Sequence, residues 1–116
     1  MLLHIISRDE MTAAEIIGVV APESLTSEGF VHCSYEHQVL TPANERFAGR
    51  TDLLLLVLVP DLIPHPLVVE DSYGSGIEFP HIYGPIPVEA IERRVAFPPN
   101  HDGTFTLPAD LDVPSP

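Results

Sequence analysis

One histidine lies within an apolar, β-favouring run, Gly29-Phe30-Val31-His32-Cys33-Ser34. Successive side chains of a β-strand point to opposite sides, so Phe30, His32 and Ser34 are predicted to share one side. Val31 and Cys33 then face the other. A strand side that is buried in a hydrophobic core rarely carries two polar groups among three positions. The pattern therefore predicts that His32 and Ser34 line a pocket.

Two other histidines have similar surroundings, in Leu2-Leu3-His4-Ile5-Ile6 and in Phe79-Pro80-His81-Ile82-Tyr83-Gly84. Each lies on a predicted strand whose apolar neighbours face away from it. We therefore expect His4, His32 and His81 to converge on one cleft. Tyr83 shares a strand side with His81, and the pair is either a hydrogen bond inside the core or part of a binding site.

A carboxylate, Glu70, ends the apolar segment Leu67-Val68-Val69 and precedes a glycine-rich stretch. Such a group is either solvated at the end of its strand or reaches into the pocket. In a pocket, burial would raise its pKa and a nearby positive charge would lower it.

Metal binding and cysteine catalysis are the other chemistries that these residues suggest. His32 and Cys33 are adjacent on a strand and point apart, so they cannot share an ion, and no paired-cysteine or His-x-x-x-His spacing occurs. A site formed by His4, His32 and His81 remains a geometric alternative, although we expect no metal. We expect Cys33 to be a small buried hydrophobic residue and not a nucleophile.

The flanking sequence predicts an α+β domain of about six strands in a split or strongly curved sheet, with two main helices. Ser7 and Glu10 form a capping box for a helix from about Arg8 to Ile17, which would turn Met11, Ala14 and Ile17 inward and stop at Gly18. Ser34 is expected to cap a short helical turn. A second helix would start at Thr41-Pro42, run through Phe47 and stop at Gly49.

The second half of the chain contains mostly strand signals. Leu53–Val59 is continuously apolar and is predicted to be a central strand buried on both faces. Further strands are expected at Leu67–Glu70, about His81–Tyr83, Ile91–Phe97 and Thr104–Leu107, with a flexible loop at Asp71–Glu78. The single domain would cover residues 1–108, and the acidic, proline-bearing residues 109–116 would be a disordered tail.

Composition restricts the partners. The 116 residues include 17 acidic side chains, five arginines and no lysine, for a formal net charge of −12. Such a chain repels polyanions at long range, so we expect no RNA or DNA partner. The longest apolar run has seven residues, no signal peptide is visible, and a lone cysteine excludes an internal disulfide. We therefore expect no membrane partner and a cytoplasmic location.

Several motifs together form a specific pattern. They are His4 after an apolar start, Glu28-Gly29-Phe30-Val31-His32-Cys33-Ser34-Tyr35, Ala43-Asn44-Glu45-Arg46-Phe47, Glu70, and Phe79-Pro80-His81-Ile82-Tyr83-Gly84-Pro85. Over about residues 1–108 the chain resembles the bacterial family called domain of unknown function 952. That family is grouped by fold with the ADP-ribosyltransferases. The order of motifs is also similar to that of NAD-dependent RNA 2′-phosphotransferases.

The resemblance implies an ADP-ribosyltransferase-like fold with a cleft for a small nucleotide such as NAD. His4 and His32 would hold the ribose and the adjoining phosphate, helped by Ser34 and by Arg46 as the phosphate-binding arginine. His81 and Tyr83 would complete the binding site, with Tyr83 stacking on a ring. Glu70 would stabilise the cation-like transition state in which the nicotinamide–ribose bond breaks, with His32 as its catalytic partner.

Two hypotheses about the activity follow from this resemblance. The chain either cleaves NAD and transfers ADP-ribose, or is a non-catalytic ligand-binding module that has kept the cleft. Lower pH is expected to favour nucleotide binding, because His4 and His32 would gain positive charge near pH 6.5.

Overall fold

The computed structural model describes residues 1–112, and within them the chain is α+β, with antiparallel strands in open sheets and few helices. The helices are α1 (Arg8–Ile17), α2 (Ser24–Ser27) and α3 (Leu40–Arg46). The strands are β1 (Leu2–Ser7), β2 (Val19–Val20), β3 (Val31–His32), β4 (Ser34–Tyr35), β5 (Leu53–Leu58), β6 (Leu67–Glu70), β7 (Phe79–Ile82), β8 (Ile86–Pro87) and β9 (Ile91–Ala96). Short 3-10 turns occur at Pro60–Leu62, Val88–Ala90 and Ala109–Asp112. None of the helices in this range has the length and apolar character needed to cross a bilayer.

The strands form three small antiparallel sheets. A central sheet has the order β4-β1-β5-β9, a second sheet has the order β3-β7-β6, and β2 pairs with β8. Residues 1–112 contain more strands than the six or so expected. The run around His32 divides into β3 and β4, and the very short strands β2 and β8 were not expected. The α+β class is confirmed.

Strand β5 is buried on both faces, as its continuous apolar sequence predicted. Leu54, Leu56 and Leu58 point into one core cluster, which α1 and the strands β3 and β7 cover. Leu53, Leu55 and Val57 point into the other, which contains residues of α3 and the C-terminal segment. The central sheet therefore separates two hydrophobic cores.

Local signals set both ends of α1. The Ser7 hydroxyl oxygen accepts a hydrogen bond from the Glu10 N–H at 3.1 Å, and the hydroxyl donates to the Glu10 carboxylate at 2.9 Å. Gly18 ends the helix with a φ of 90°, which favours glycine. The prediction that Ile17 packs inward is wrong, since that side chain is 67% exposed. Val20, just after the turn at Gly18, packs in the core cluster instead.

The segment after the His32 run differs from the prediction. Ser34 begins β4 and caps no helix, because its backbone pairs with Leu3 of β1. Helix α3 starts two residues before the expected Pro42, which is tolerated as the third helical residue because first-turn N–H groups need no partner inside the helix.

The C-terminal segment contains two further differences. Residues 104–107 were expected to form a strand, but they pair with no neighbouring strand among the described residues. The Phe105 N–H instead donates to the Asn44 side chain at 2.7 Å. In the expected tail, residues 109–112 form a 3-10 turn, and Leu111 is buried in a core cluster because apolar burial outweighs the acidic composition. The rest of that predicted tail, residues 113–116, lies outside the described residues.

Candidate functional site

A cleft forms where the chain around His32 passes from one sheet to another. His32 in β3 pairs with His81 in β7 of the second sheet, whereas Ser34 in β4 pairs with Leu3 in β1 of the central sheet. Between them, the Cys33 N–H donates to the Pro80 carbonyl at 3.1 Å. The two sheets separate at this point, and the space in front of His32 is called the histidine cleft below.

The histidine cleft has two lobes. The first, of about 280 Å³, lies beside β1 and the segment 22–24, and His4 is among its lining residues. The second, of about 270 Å³, lies beside β7 and the loop 71–78, and His81 is among its lining residues. The shared wall consists of His32, Ser34, Pro42 and Arg46. Each lobe alone is slightly below the usual size of a small-molecule pocket, so a ligand of ordinary size would occupy both.

His4 presents a hydrogen-bond acceptor to the first lobe. Its Nδ1 lies 2.6 Å from the backbone oxygen of His32. Since a carbonyl only accepts, Nδ1 carries the proton and Nε2 keeps a free lone pair. Burial lowers the pKa of His4, outweighing the opposing effects of the His32 carbonyl and Glu10. The ring is therefore neutral at neutral pH, and the expectation that His4 gains charge near pH 6.5 to attract an anion does not hold.

His32 belongs to a network with Glu28 and Tyr73. Its Nε2 lies 2.6 Å from Glu28 Oε2, and the Tyr73 hydroxyl donates to Glu28 Oε1 at 2.5 Å. The hydrogen bonds from Tyr73 and then from His32 hold the pKa of Glu28 below its usual range. The carboxylate is thus ionised and accepts from both groups. It fixes the His32 ring and anchors the loop that carries Tyr73.

A second network, formed by Glu70, His81 and Tyr83, lies on the far side of the second lobe. His81 Nδ1 is 2.9 Å from Glu70 Oε2, and the Tyr83 hydroxyl donates to the same carboxylate. The hydrogen bonds from Tyr83 and then from His81 lower the pKa of Glu70. The Ser72 hydroxyl is 3.4 Å from His81 Nδ1.

This arrangement places Glu70 and Tyr83 differently from the sequence-based expectation. Neither lines a lobe of the histidine cleft, because both lie behind His81. Tyr83 is 38% exposed and packs against Phe30, with 5.5 Å between ring centroids. The predicted contacts of Glu70 with the reacting ribose and of Tyr83 with a ligand ring therefore do not fit this geometry. Both residues hold His81 in place.

Phe30 joins the two networks. Its ring is stacked on that of His81, with 3.9 Å between centroids and 13° between planes. The same ring meets His32 edge to face at 5.0 Å. Phe30 is buried, so it fixes the orientation of both imidazoles. The predicted grouping of Phe30, His32 and Ser34 on one side agrees with this packing, since Val31 and Cys33 point into the core cluster.

Cys33 lines the second lobe but is not suited to be a nucleophile. It is buried among apolar side chains, and this burial raises the pKa of its thiol to about 12. A thiol that stays protonated at neutral pH is a poor nucleophile.

Metal binding also lacks a suitable set of ligands. Within residues 1–112, no group of three or more His, Cys, Asp or Glu side chains could hold a metal ion. The alternative of a three-histidine metal site is therefore set aside.

Arg46 is the cation of the cleft. Arg50, Arg93 and Arg94 form ion pairs with carboxylates, whereas Arg46 has no carboxylate within 4.0 Å in the described part of the chain. Its guanidinium lies 5.7 Å from the centre of the Tyr73 ring. Carboxylates also line the cleft, with Glu10 and Glu23 in the first lobe and Glu45 in the second. One anionic group of a ligand can therefore be neutralised where the lobes meet.

Sequence reasoning missed the roles of Glu28 and Tyr73. Glu28 lies four residues before His32, and in a continuous strand this separation would not bring the two side chains into contact. They meet because α2 turns the chain just before β3. Tyr73 is 45 residues away from Glu28 along the chain, and no local signal links them.

The comparisons with known proteins identify a family and similar structures. A model of the family "Protein of unknown function (DUF952)" matches residues 5–94. A crystal structure of protein CC0527 from Caulobacter crescentus is 31% identical, covers 91% of this chain and 93% of that chain, and superposes with a TM-score of 0.82. A solution structure of CC0527 is 29% identical, covers 91% of each chain and has a TM-score of 0.75. No curated protein matches the chain.

The family match covers most of the chain, including the motifs around His32, Arg46 and His81, and the similar crystal structure exceeds 30% identity over most of its length. The chain belongs to the DUF952 family of proteins of unknown function.

Proposed function

We propose that the histidine cleft binds a small nucleotide of the NAD type. The observation that carries the proposal is the pair of lobes meeting at His32 and Arg46. A dinucleotide has two ring-bearing ends joined by a short anionic link. Its ends would occupy the two lobes, and its phosphates would lie at the shared wall beside Arg46. The guanidinium is a planar, permanently charged donor suited to phosphate oxygens.

The hydrogen-bonding groups of the first lobe favour a sugar. His4 offers an unprotonated Nε2, and the Ser34 hydroxyl can donate or accept. A neutral imidazole acceptor suits a ribose hydroxyl and does not suit a phosphate oxygen, which has no proton to donate. His4 is therefore assigned to the ribose, and the phosphate to Arg46.

Cleavage of the nicotinamide–ribose bond is the reaction that such a site would support. Its cation-like transition state needs a nearby negative charge. Glu28 lines neither lobe itself, but Tyr73 and His32, which both line the second lobe, hold it ionised, and we assign to it the role that the sequence had suggested for Glu70. A binding module without turnover is the second candidate. It is favoured by the engagement of both Glu28 oxygens in hydrogen bonds within the protein. Release of nicotinamide from NAD separates the two.

Calorimetric titration with NAD tests binding. We expect saturable binding to the wild-type protein and a loss of affinity of roughly 10- to 150-fold in Arg46→Gln, since a hydrogen bond to a charged group contributes about 1.5–3 kcal/mol. Arg8→Gln is the matched control, because Arg8 is also exposed and lies outside both lobes. Equal affinity of the Arg46→Gln and Arg8→Gln proteins would contradict the assignment of Arg46. Absence of binding to the wild type would contradict the proposed function.

A further inference from the structure

We infer that His81, oriented by Glu70, is the proton acceptor of the second lobe and takes a proton from a hydroxyl group that is held there. The identity of the ligand that brings this hydroxyl rests on the proposed function. The orientation of the imidazole does not.

The hydrogen bond to Glu70 determines which nitrogen of His81 is protonated. An ionised carboxylate only accepts, so the hydrogen bond at 2.9 Å places the proton on Nδ1. In the neutral imidazole, Nε2 then carries the lone pair. No hydrogen-bond partner of Nε2 is found among residues 1–112.

The position of the ring directs that lone pair toward the cleft. Glu70 lines neither lobe, whereas His81 lines the second. Nε2 lies away from the Nδ1 contact with Glu70, which leaves this nitrogen for the lobe that His81 lines. A carboxylate that fixes the tautomer of an imidazole whose other nitrogen faces a pocket is the arrangement used by histidine general bases.

The ring is also held still. His81 is 2% exposed, and its face is stacked on Phe30. Tyr83 donates to the Glu70 carboxylate and so fixes the positioning group. Preorganisation of this kind is needed for a general base and is not needed for a solvated surface histidine.

The lining of the second lobe favours a hydroxyl partner over a second anion. Glu45 lines the lobe, and Arg46 lies only at its boundary with the first. The imidazole lone pair and the Glu45 carboxylate are both acceptors. A group with an O–H to donate satisfies them, whereas a second phosphate would be repelled.

The proposed reaction step is a group transfer. For this step the nicotinamide end of NAD lies in the second lobe and the ribose at His4 is that of the adenosine end. The bond between C1′ of the nicotinamide ribose and the nicotinamide nitrogen breaks, and nicotinamide leaves with the electron pair. The oxygen of water or of an alcohol in the second lobe forms a bond to C1′, and its proton passes to His81 Nε2. The imidazolium later releases that proton to solvent. In this step His81 is the catalytic residue, and Glu70 is a positioning residue.

Nitrogen NMR of protein labelled with ¹⁵N-histidine tests the orientation without any need for turnover. In the neutral form of the wild-type imidazole, His81 is expected to carry its proton on Nδ1 and none on Nε2, with the signals assigned through a His81→Asn variant. In Glu70→Gln the side-chain amide can donate to Nδ1, so the Nδ1–H tautomer is expected to lose population. Glu89→Gln, which removes the same charge from an exposed residue outside the cleft, should leave the tautomer unchanged.

Two titrations separate this inference from the proposed function. Saturating NAD or, separately, free ribose is expected to shift the Nε2 resonance. A response to ribose without binding of NAD would support the proton-acceptor site and contradict the nucleotide proposal. Protonation of His81 at Nε2 in the wild type, or an Nε2 resonance that neither probe moves, would overturn the inference.

Turnover provides an additional readout. If nicotinamide is released, the His81→Gly variant is expected to lose roughly 10²–10⁴-fold in rate, the usual contribution of a general base. Added imidazole should restore part of the rate, which would not happen if His81 were merely structural. A loss of rate that imidazole does not restore, in a protein that still binds NAD, would contradict the assigned role.

Discussion

Single residues of the histidine cleft are held by partners that leave one side of each ring available. His32 is bonded through Nε2 to Glu28, His4 through Nδ1 to a backbone oxygen, and His81 through Nδ1 to Glu70. Only Arg46 provides positive charge that does not depend on pH. We therefore assign hydroxyl recognition to the histidines and recognition of negative charge to the arginine.

Replacement of His32 tests its place in the shared wall. His32→Ala is expected to abolish measurable NAD binding while changing the free energy of unfolding by about 1 kcal/mol or less, because its hydrogen bond to Glu28 is partly exposed to solvent. Calorimetry and urea denaturation measure the two effects. His101→Ala, at an exposed position outside the cleft, is the control. Wild-type affinity in His32→Ala would contradict a role for His32 in binding.

Burial of His4 is expected to make the stability of the protein depend on pH. Its pKa is lower in the folded protein than in the unfolded chain, so between these two values the unfolded chain binds more protons. Its contribution to stability is present above about pH 6.5 and is lost as the pH falls through the folded pKa. Glu28 and Glu70, whose pKa values are also lowered, add losses only at lower pH, below about pH 4.5.

Thermal denaturation between pH 7.5 and 5.5, values chosen to span the unfolded pKa of about 6.5, measures this effect. The wild type is expected to lose stability over the interval, and His4→Asn should lose less, because an amide keeps the donor to the His32 carbonyl and does not titrate. Equal changes in stability in the wild type and in His4→Asn would contradict burial of a neutral His4.

At the scale of elements, the sequence predicted helices and strands best where their structure depends only on neighbouring residues along the chain. Ser7, Glu10 and Gly18 set α1 because capping needs only neighbours along the chain, and the apolar run from Leu53 set β5. The division of the His32 run at Cys33 was not predicted, because it depends on which sheet edge each half meets. The strand patterns identified the three histidines and the family resemblance identified Arg46, but neither revealed that Glu70 lies behind His81.

Long-range packing also explains the errors near the C-terminus. Residues 104–107 have the composition of a strand but pair with no strand in the described structure. Leu111 is buried although its neighbours are acidic, and the backbone oxygen of Leu111 accepts a short hydrogen bond from Arg93 of β9. Neither contact has a local signature in the sequence.

The end of β7 offers a test of element packing. A side chain at Gly84 would place its Cβ 2.2 Å from the His65 ring, so Gly84→Ala must displace that ring. We expect Gly84→Ala to destabilise the protein by about 1–3 kcal/mol, the usual range for overpacking. In the double variant with His65→Ala, most of that loss should disappear, giving a favourable coupling energy in urea denaturation. Additive effects would contradict the contact.

At the scale of the whole molecule, the charge of −12 and the single cation of the cleft favour small ligands over polyanions. A nucleotide presents one anionic link to Arg46, whereas RNA would meet the acidic surface along its whole length. We expect no detectable anisotropy change of a labelled short RNA at either about 50 or about 200 mM salt, and an NAD affinity that changes little between them. Tight RNA binding that weakens steeply with salt would contradict this assignment and favour an RNA-directed activity.

The central claim is that one ligand occupies both lobes across the His32–Arg46 wall. A ¹H–¹⁵N NMR titration with NAD tests it most directly. We expect the backbone signals on both sides of the wall to shift together with a single dissociation constant; these are the signals of His4, His32, Ser34, Arg46 and His81. The signals of the exposed turn at residues 100–103 should stay in place. Signals that move only outside the cleft, or in one lobe without the other, would contradict it.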